Sequence, residues 1–326
     1  MKNSGFILLF CFSGTCFANI PVIEEYDKAM ELAISYDRPV ALLFTGSDWC
    51  KLSKKLNDEI LYDQGFVDEI GSQFIFVKVD FPEINCKSQE LLKQNQDLKT
   101  YFKVDSFPLI VLIDKSGIEI TRLSYTAESG VEYANRLKEI YLNYYSLKIG
   151  YLKTDGSIDD MEKLYHRASV LQCPYYIEKT LEDGLNINVG VYFPLEKYVR
   201  LVNDGKKDSD QAKELKAKII ERDRDNLSGA HLRLALLDFQ ANKLSYVDSE
   251  EECQKVIEPL NLYVKSFGEN DHNNLWRLHL IISEYFIKYG KTKEAIDHVE
   301  KSLIDAPDNE KRNIEKMIRS IKSNTK

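Results

Sequence analysis

The sequence has no Cys-x-x-Cys pair, no Cys/His cluster and, after residue 18, no long apolar run. Six cysteines occur in 326 residues, and their wide spacing argues against a structural zinc site and a disulfide-stapled mini-fold. No later stretch approaches the roughly 20 apolar residues of a membrane-spanning helix. The formal net charge of −8 is mixed along the chain, so nothing favours binding to nucleic acid or to an anionic membrane.

Residues 1–18 have the pattern of a secretory signal peptide. Lys2 supplies an early positive charge, residues 6–12 are apolar, and Ala18 is a small residue at a plausible cleavage point. A membrane anchor or a buried strand of the first domain is the alternative for this segment. We therefore predict an exported protein, periplasmic or secreted, with no membrane span after cleavage.

Residues 20–146 alternate between helical and strand patterns. The second predicted helix places Leu52, Leu56 and Ile60 on one face. The order of the elements predicts a small open sheet with helices on both faces. The predicted helices are residues 23–35, 49–61, 88–102 and 128–145, and the predicted strands are residues 40–44, 74–79, 109–114 and 118–125.

Residues 147–326 almost lose the strand pattern and place apolar residues three and four positions apart. Within them, residues 275–307 fit a tetratricopeptide helix-turn-helix repeat, with small residues where the helices touch, Gly290 at the turn and Pro307 at the end. One repeat cannot bury its own apolar face, and residues 229–267 form a looser second unit. We predict an α-helical, repeat-like domain that follows the α/β domain.

Cys50 is the candidate reactive residue, at the junction of an apolar strand and a helix in the segment FTGSDWCKLSKKL. A thiol in the first turn of a helix faces the positive end of the helix dipole, which favours the thiolate. Lys51, Lys54 and Lys55 add a modest, screened positive charge, and Trp49 would shield one side of the sulfur. Open α/β sheets place their sites at this carboxyl edge.

This half of the chain resembles the thioredoxin fold, specifically exported thioredoxin-like proteins that carry an F-T-G-S-D-W-C segment. The match rests on the strand before Trp49 and Cys50, the strand FIFVKVD, and Phe107-Pro108 before the strand LIVLID. The resemblance implies that Cys50 is the attacking thiol and that a cis peptide bond precedes Pro108, which shapes the substrate groove. It also implies that backbone groups of Ser106 and Phe107 pair with a bound peptide.

Two positions depart from the family pattern. Ser53 replaces the second cysteine, and a serine can neither resolve a mixed disulfide nor pass a disulfide on. Its hydroxyl can donate a hydrogen bond to the Cys50 thiolate, although an ordinary helix-surface serine is the alternative. Phe44 occupies a strand position where thioredoxins often keep a buried carboxylate, which points away from an efficient general reductase. For Trp49, packing is the alternative to contact with the substrate.

The remaining cysteines and histidines have simpler interpretations. Cys86 would pair with Cys50 only if their Cα atoms lie within about 7 Å of each other. We predict buried thiols at Cys173 and Cys253, with a disulfide between them as the alternative. The histidines lack ligand spacing, so we predict surface or packing roles and no metal site. They are His166, His231, His272, His279 and His298.

The function that we predict is thiol–disulfide exchange on client proteins through the single thiol of Cys50, without a cofactor. Isomerisation, client retention or reduction with an external thiol fits a single thiol better than net disulfide formation does. The alternative is a catalytically inactive scaffold whose helical domain binds a peptide or protein partner. A glutathione or iron–sulfur site, as in monothiol glutaredoxins, lacks that family's surrounding motifs.

Overall fold

The structure is a computed structural model that describes residues 21–84, 87–245 and 250–323. The chain divides into two compact units between Asp183 and Gly184. The predicted signal peptide, residues 1–18, and Cys86 both lie outside the described residues. Across the described ranges, no helix combines the length and the apolar character needed to cross a membrane.

Five strands in the described part of the first unit form one sheet, in the order β1-β3-β2-β4-β5. Strand β2 lies at the centre, parallel to β3 and antiparallel to β4, and each of its residues is buried. This position explains its continuous apolar run, since a strand covered on both faces has no solvent side. The strands are β1 Val22–Ile23, β2 Val40–Thr45, β3 Ile75–Asp80, β4 Leu109–Ile113 and β5 Glu119–Ser124.

Helices cover both faces of the sheet, as predicted. Ala33 of α1 and Leu98 of α4 belong to the core on one face, while Phe66 of α3 packs against Phe76 and Tyr133 on the other. The helices of this part are α1 Tyr26–Tyr36, α2 Lys51–Leu56 with a π-helical turn Asn57–Leu61, α3 Gln64–Ile70, α4 Gln89–Tyr101, α5 Gly130–Lys153, α6 Ile158–Leu171 and α7 Pro174–Ile187, which spans the division between the units.

Sequence patterns missed β1 and α3, which are two and seven residues long. Both are too short to show a period, and α3 is instead defined by its cap, where the Asp63 carboxylate accepts from the backbone N–H of Phe66 at 3.0 Å. The predicted face of Leu52, Leu56 and Ile60 is also partly wrong. Leu56 and Ile60 are fully buried, whereas Leu52 is 49% exposed.

Helix α5 continues through residue 146, the predicted end of the α/β domain. The reason lies at Asp114, at the end of β4, whose buried carboxylate accepts from the Tyr144 hydroxyl at 2.7 Å and from Lys148 Nζ at 2.8 Å. Burial raises the pKa of Asp114, but these two donors and backbone N–H groups outweigh it and hold that pKa below its ordinary value. The boundary at residue 147 stays a prediction.

The described part of the second unit is all helical, which confirms the predicted class. Within it, α12 and α13 form the helix-turn-helix predicted for residues 275–307, and the buried Ser283 hydroxyl donates to the carbonyl of Ala295 at 2.9 Å. Its assignment to a repeat family stays a prediction. The helices are α8 Tyr192–Asn203, α9 Asp210–Arg222, α10 Ala230–Ser245, α11 Glu250–Phe267, α12 His272–Lys288, α13 Thr292–Asp305 and α14 Asp308–Ser323.

Cys173 and Cys253 are buried thiols, so the alternative of a disulfide between them is wrong. Cys173 follows α6, and its thiol donates to the backbone carbonyl of Glu119 at 3.4 Å. Burial raises the pKa of Cys173 to about 11. Neither its charge state nor its position suits it to chemistry with solvent thiols.

His279 and His298 form a pair between α12 and α13, with their Nδ1 atoms 3.0 Å apart. Burial, His298 and Lys301 lower the pKa of His279 to about 4, against the opposing charges of Asp297 and Asp305. Burial and Lys301 likewise lower the pKa of His298. One ring must donate to the other, so the pair is stable only while at least one ring is neutral.

Acidification is expected to destabilise the second unit, because its folded form keeps these histidines neutral. The unfolded chain takes up their protons near pH 6.5 (about the free His value), so this stabilisation is complete above that pH. It is lost as the pH falls toward about 4, the pKa of His279. We expect the double variant His279→Leu/His298→Leu to show a flatter pH dependence of the melting temperature, measured by circular dichroism.

The variant His272→Gln serves as the control, because the His272 side chain is 69% exposed. It should keep the pH dependence of the unmodified chain. Equal slopes in the double variant and the unmodified chain would contradict the assignment to the buried pair.

Candidate active site

Cys50 lies where the central strand β2 gives way to α2. It is the N-cap of α2, with extended backbone angles, and its own N–H donates to the carbonyl of Gly46 at 2.8 Å. Its carbonyl accepts from the N–H of Lys54 and so starts the helix. The side chain is half-buried. The thiol is therefore accessible at the carboxyl end of β2, beside the unsatisfied N–H groups of a helix start.

Hydrogen bonds favour the thiolate of Cys50. Burial alone would raise its pKa, but the Ser53 hydroxyl and the backbone N–H groups of Ser53 and Leu52 outweigh it, so the pKa lies below the ordinary cysteine value. Two of the nearby lysines are engaged elsewhere, since Lys54 Nζ donates to the Asp48 carbonyl and Lys55 pairs with Glu59. Donors of the first helical turn therefore stabilise the anion.

Ser53 is fully buried, so its interpretation as a helix-surface serine is wrong. Its Oγ accepts a hydrogen bond from the N–H of Gly46 at 3.2 Å. A hydroxyl that accepts from Gly46 still has its own proton to donate, and the Cys50 sulfur lies on the same side of the first turn. The serine thus links the loop before Cys50 to the sulfur itself.

The Phe107–Pro108 peptide bond is cis, as the family resemblance implies. The carbonyl of Phe107 faces the candidate thiol, and Cys50 Sγ donates to it at 3.5 Å. Pro108 directly precedes β4, the antiparallel neighbour of β2. The structure therefore brings Cys50 and Ser53 together with the Phe107–Pro108 bond, which is distant from them in the sequence.

Trp49 packs beside this site and still exposes 44% of its surface. Its Nε1–H donates to the carbonyl of Phe81 at 2.8 Å, and its ring meets that of Phe107 edge to face at 5.8 Å. A Cβ atom at Gly46 would come within 2.4 Å of the indole, so only glycine allows this ring position. Both packing and an exposed aromatic surface are thus present at Trp49.

The sequence interpretation missed Asp80, a buried carboxylate at the end of β3. It accepts from the Thr45 hydroxyl at 2.8 Å, and from the N–H and hydroxyl of Ser47 at 3.0 and 2.6 Å. Burial raises the pKa of Asp80, but these bonds outweigh it and keep the carboxyl ionised. The available signal was an acidic residue at the carboxyl end of a parallel neighbour of β2.

Asp48 fixes the same loop from its other side. Its Oδ1 and Oδ2 accept from the backbone N–H groups of Glu83 and Ile84 at 2.9 and 2.7 Å. Together, Asp80, Asp48 and Trp49 tie the loop before Cys50 to the segment that follows β3. These hydrogen bonds hold the loop in one position and thereby fix the place of the accessible thiol.

Within the described ranges, no group of three or more His, Cys, Asp or Glu residues is placed to hold a metal ion. The other described thiols, those of Cys173 and Cys253, are buried and are not part of this site. The alternative in which Cys50 pairs with Cys86 depends on a residue outside the described ranges.

Comparison with known proteins places this geometry in a family. The family model described as "Thioredoxin-like domain" matches residues 26–146. "Disulfide bond reductase DsbH" of Chlamydia pneumoniae is 36% identical over 115 residues, covering 35% of this chain and 69% of that protein. The chain belongs to the thioredoxin-like family. This confirms the α/β fold predicted for the first half.

Two further similarities extend the comparison for this thioredoxin-like chain. "Thioredoxin-related protein DsbJ" of Chlamydia pneumoniae is 26% identical over 301 residues, covering 91% of this chain and 86% of that protein. A solved structure titled "DsbH Oxidoreductase" is 32% identical, covers 43% of this chain and 94% of its own, and has a TM-score of 0.37. The similarity to the first of these reaches beyond the thioredoxin-like residues into the helical half.

Proposed function

We propose that this protein carries out thiol–disulfide exchange on client proteins through the single thiol of Cys50. The observation that carries the proposal is a half-exposed cysteine at a helix start whose pKa is lowered by the Ser53 hydroxyl and two backbone N–H groups, against the effect of burial. Thiolate is the form that attacks disulfides. The similarity to a protein named as a disulfide bond reductase supports this reaction class.

The reaction begins when the Cys50 thiolate attacks one sulfur of a client disulfide. A sulfur–sulfur bond forms between Cys50 and the client, the client's own bond breaks, and the second client sulfur leaves as a thiolate. If another client thiolate then attacks the mixed disulfide, the client gains a rearranged disulfide and Cys50 is released with no net change of electrons. If external thiols attack instead, the client is reduced and the external thiols are oxidised.

Ser53, Pro108 and Trp49 have separate roles in this proposal. The Ser53 hydroxyl stabilises the attacking and departing thiolate of Cys50. Pro108 shapes the groove in which backbone groups of Ser106 and Phe107 align a client segment beside the sulfur. Trp49 supplies an exposed ring next to that groove, and its hydrogen bond to Phe81 keeps the ring in place. No cofactor takes part.

The partners in this proposal are client proteins with thiols or disulfides. Residues 1–18 direct export to the periplasm or the exterior, an oxidising compartment in which such clients occur. The helical second unit binds a client or a partner protein. A scaffold without catalysis would use that unit alone, and the reactivity of Cys50 separates the two functions.

The pH dependence of Cys50 alkylation tests the proposal. In the reduced full-length chain, we expect iodoacetamide to modify Cys50 with a midpoint below the ordinary cysteine pKa of about 8.5, because hydrogen bonds stabilise the thiolate. The variant Ser53→Ala should move this midpoint upward, since it removes the hydroxyl donor. Mass spectrometry of the digested protein assigns each modified cysteine.

Cys173 is the internal control for this measurement, because it is fully buried and its pKa is raised to about 11. It should stay unmodified under native conditions. A Cys50 midpoint at or above the ordinary value, or no modification of Cys50, would instead support the scaffold with a binding helical unit.

A further inference from the structure

A trough in the first unit lies between the edge strand β5 and helices α5 and α6. It has a volume of about 590 Å³, which is within the usual range for ligand sites. Three consecutive residues of β5, one face of α5 and the last turns of α6 line it. The residues of the Cys50 site do not contribute to this lining.

The backbone of β5 is open along the trough. Strand β5 ends the sheet order and pairs with β4 alone. Among the described residues, no backbone group hydrogen-bonds to residues 121–123 on the side away from β4. An unpaired edge of this kind is a template for an added strand. The first residue of β5, however, has a partner on this side, because the Glu119 carbonyl accepts a hydrogen bond from the Cys173 thiol.

Arg136 stands at one end of the trough with unused hydrogen-bonding capacity. Its Nη2 donates to Glu128 at 2.6 Å and to the Thr126 hydroxyl at 2.9 Å. Its Nε–H is buried and has no acceptor among the described residues. A buried donor without an acceptor is costly, so an acceptor supplied by a ligand would be favourable here.

Arg167 stands at the other end and has no carboxylate partner among the described residues. Its Nη2 donates only to the Ser146 hydroxyl, at 2.8 Å, and the side chain is exposed. Arg122, by contrast, binds Glu119 with both Nε and Nη2, so both of those donors are already used. The unmatched positive charge of the trough therefore lies at Arg167, because Arg136 is ion-paired with Glu128, and the unused donor at the other end is Arg136 Nε–H.

The distance between these ends sets the length of the ligand. Ser146, which holds Arg167, follows Arg136 by ten residues on α5, or about 15 Å along the helix axis. An extended chain covers that distance in roughly four to five residues. Glu139 and Asn143 line the trough between the ends, and the Glu139 carboxylate disfavours a negative charge there.

We propose that this trough binds an extended peptide segment, which pairs with β5 as an added strand and presents acidic side chains to Arg136 and Arg167. The acidic residues lie four positions apart, so that both side chains are on the same face of the added strand, and neutral or basic residues between them face Glu139. This binding goes beyond thiol exchange and does not use Cys50. It gives the protein a means to hold a partner that contains no cysteine.

Fluorescence anisotropy with a labelled peptide tests the proposal. The probe is a cysteine-free octapeptide of alternating Thr and Val with two Asp residues four positions apart, which lie on the same face of an extended strand, titrated with the full-length chain at low salt. We expect the same peptide with Lys in place of Asp to bind about ten-fold more weakly. The variant Arg167→Glu should weaken binding of the Asp peptide by about ten-fold as well.

The control is Arg312→Glu, an exposed position on α14 with the same change of charge. It should leave the affinity unchanged. A third peptide, N-methylated on alternate residues, lacks the strand donors and should lose about ten-fold in affinity.

Three results would overturn the proposal. The first is an affinity that Arg167→Glu leaves unchanged or that Arg312→Glu lowers equally. The second is full binding of the N-methylated peptide, and the third is displacement of the probe by citrate at the concentration at which unlabelled peptide displaces it. Because binding is measured without any thiol reaction, failure here leaves the Cys50 proposal intact, and the reverse also holds.

Discussion

Replacement of Cys50 by Ala is expected to reduce catalysed disulfide exchange to the uncatalysed rate. The reason is that the described part of the chain offers no other exposed thiol, since Cys173 and Cys253 are buried and burial raises the pKa of Cys173 to about 11. The reaction to measure is the refolding of a scrambled disulfide protein in a glutathione buffer, where a single thiol acts as an isomerase. We expect a loss of about a hundred-fold or more in the catalysed component.

Cys173→Ala is the matched control, because it removes one thiol without touching the loop that mounts Cys50. It should leave catalysis within about two-fold of the unmodified chain, with any loss explained by stability. Catalysis that survives Cys50→Ala would show that the exchange does not use this thiol. The search for function would then move to the helical unit, as the scaffold alternative requires.

Replacement of Ser53 by Cys is expected to create a dithiol reductase. A second thiol at this position lies on the same face of the first turn of α2 as Cys50 and can attack the mixed disulfide from within the protein. Escape from the client then no longer depends on an external thiol. We expect the rate of insulin reduction with dithiothreitol to rise by about ten-fold or more.

The control for Ser53→Cys is Leu52→Cys, which adds a thiol one position away on a side chain that is 49% exposed. That sulfur lies on a different face of the helix and should give no comparable gain. The double variant Cys50→Ala/Ser53→Cys should also show none, because the buried residue 53 cannot begin the attack. A gain in either control would contradict a mechanism in which residue 53 resolves what Cys50 forms.

The sequence predicted the central sheet because its strands are buried on both faces and read as continuous apolar runs. Strand β2 agrees with the predicted residues 40–44 to within one residue. The edge of the sheet was harder, since β1 contributes only two residues. Helix α3 was missed because its seven residues cover only two turns. Pattern length, more than pattern strength, separates what was found from what was missed.

The candidate site was predictable at Cys50 and Pro108, where the residue type itself is informative. The donor role of Ser53 was among the interpretations of the sequence, but its burial was not predictable, because Leu52 looks like the buried residue and Ser53 like the exposed one. The structure has the reverse order, with Ser53 fully buried and Leu52 half exposed. The N-cap at Cys50 sets the rotation of α2, and the hydrogen bond to Gly46 satisfies the buried hydroxyl. The contact between Gly46 and Ser53 spans seven residues and leaves no trace in the apolar pattern of the helix.

Asp80 shows the same limit for charged groups. A carboxylate at the end of a strand is usually solvated. Asp80 is instead buried and ionised because it accepts from the hydroxyls of Thr45, at the end of the neighbouring strand, and of Ser47, in the loop that follows. Such a contact needs the register of β2 and β3, which pairs Thr45 with Asp80. The sequence supplies the residues of this network, and only the sheet assembles them.

The carboxylate of Asp114 at the turn after β4 depends on a cation that comes from residue 148, two positions past the last residue matched by the thioredoxin-like family model. A fragment cut at residue 146 would retain the Tyr144 hydroxyl and lose the ammonium group. It would then carry a buried negative charge without its counter-ion. The residues that match the family model and the residues needed for a stable fragment therefore end at different positions in this protein. The boundaries of an expressed fragment are better chosen to keep buried charges paired than to follow the matched residues.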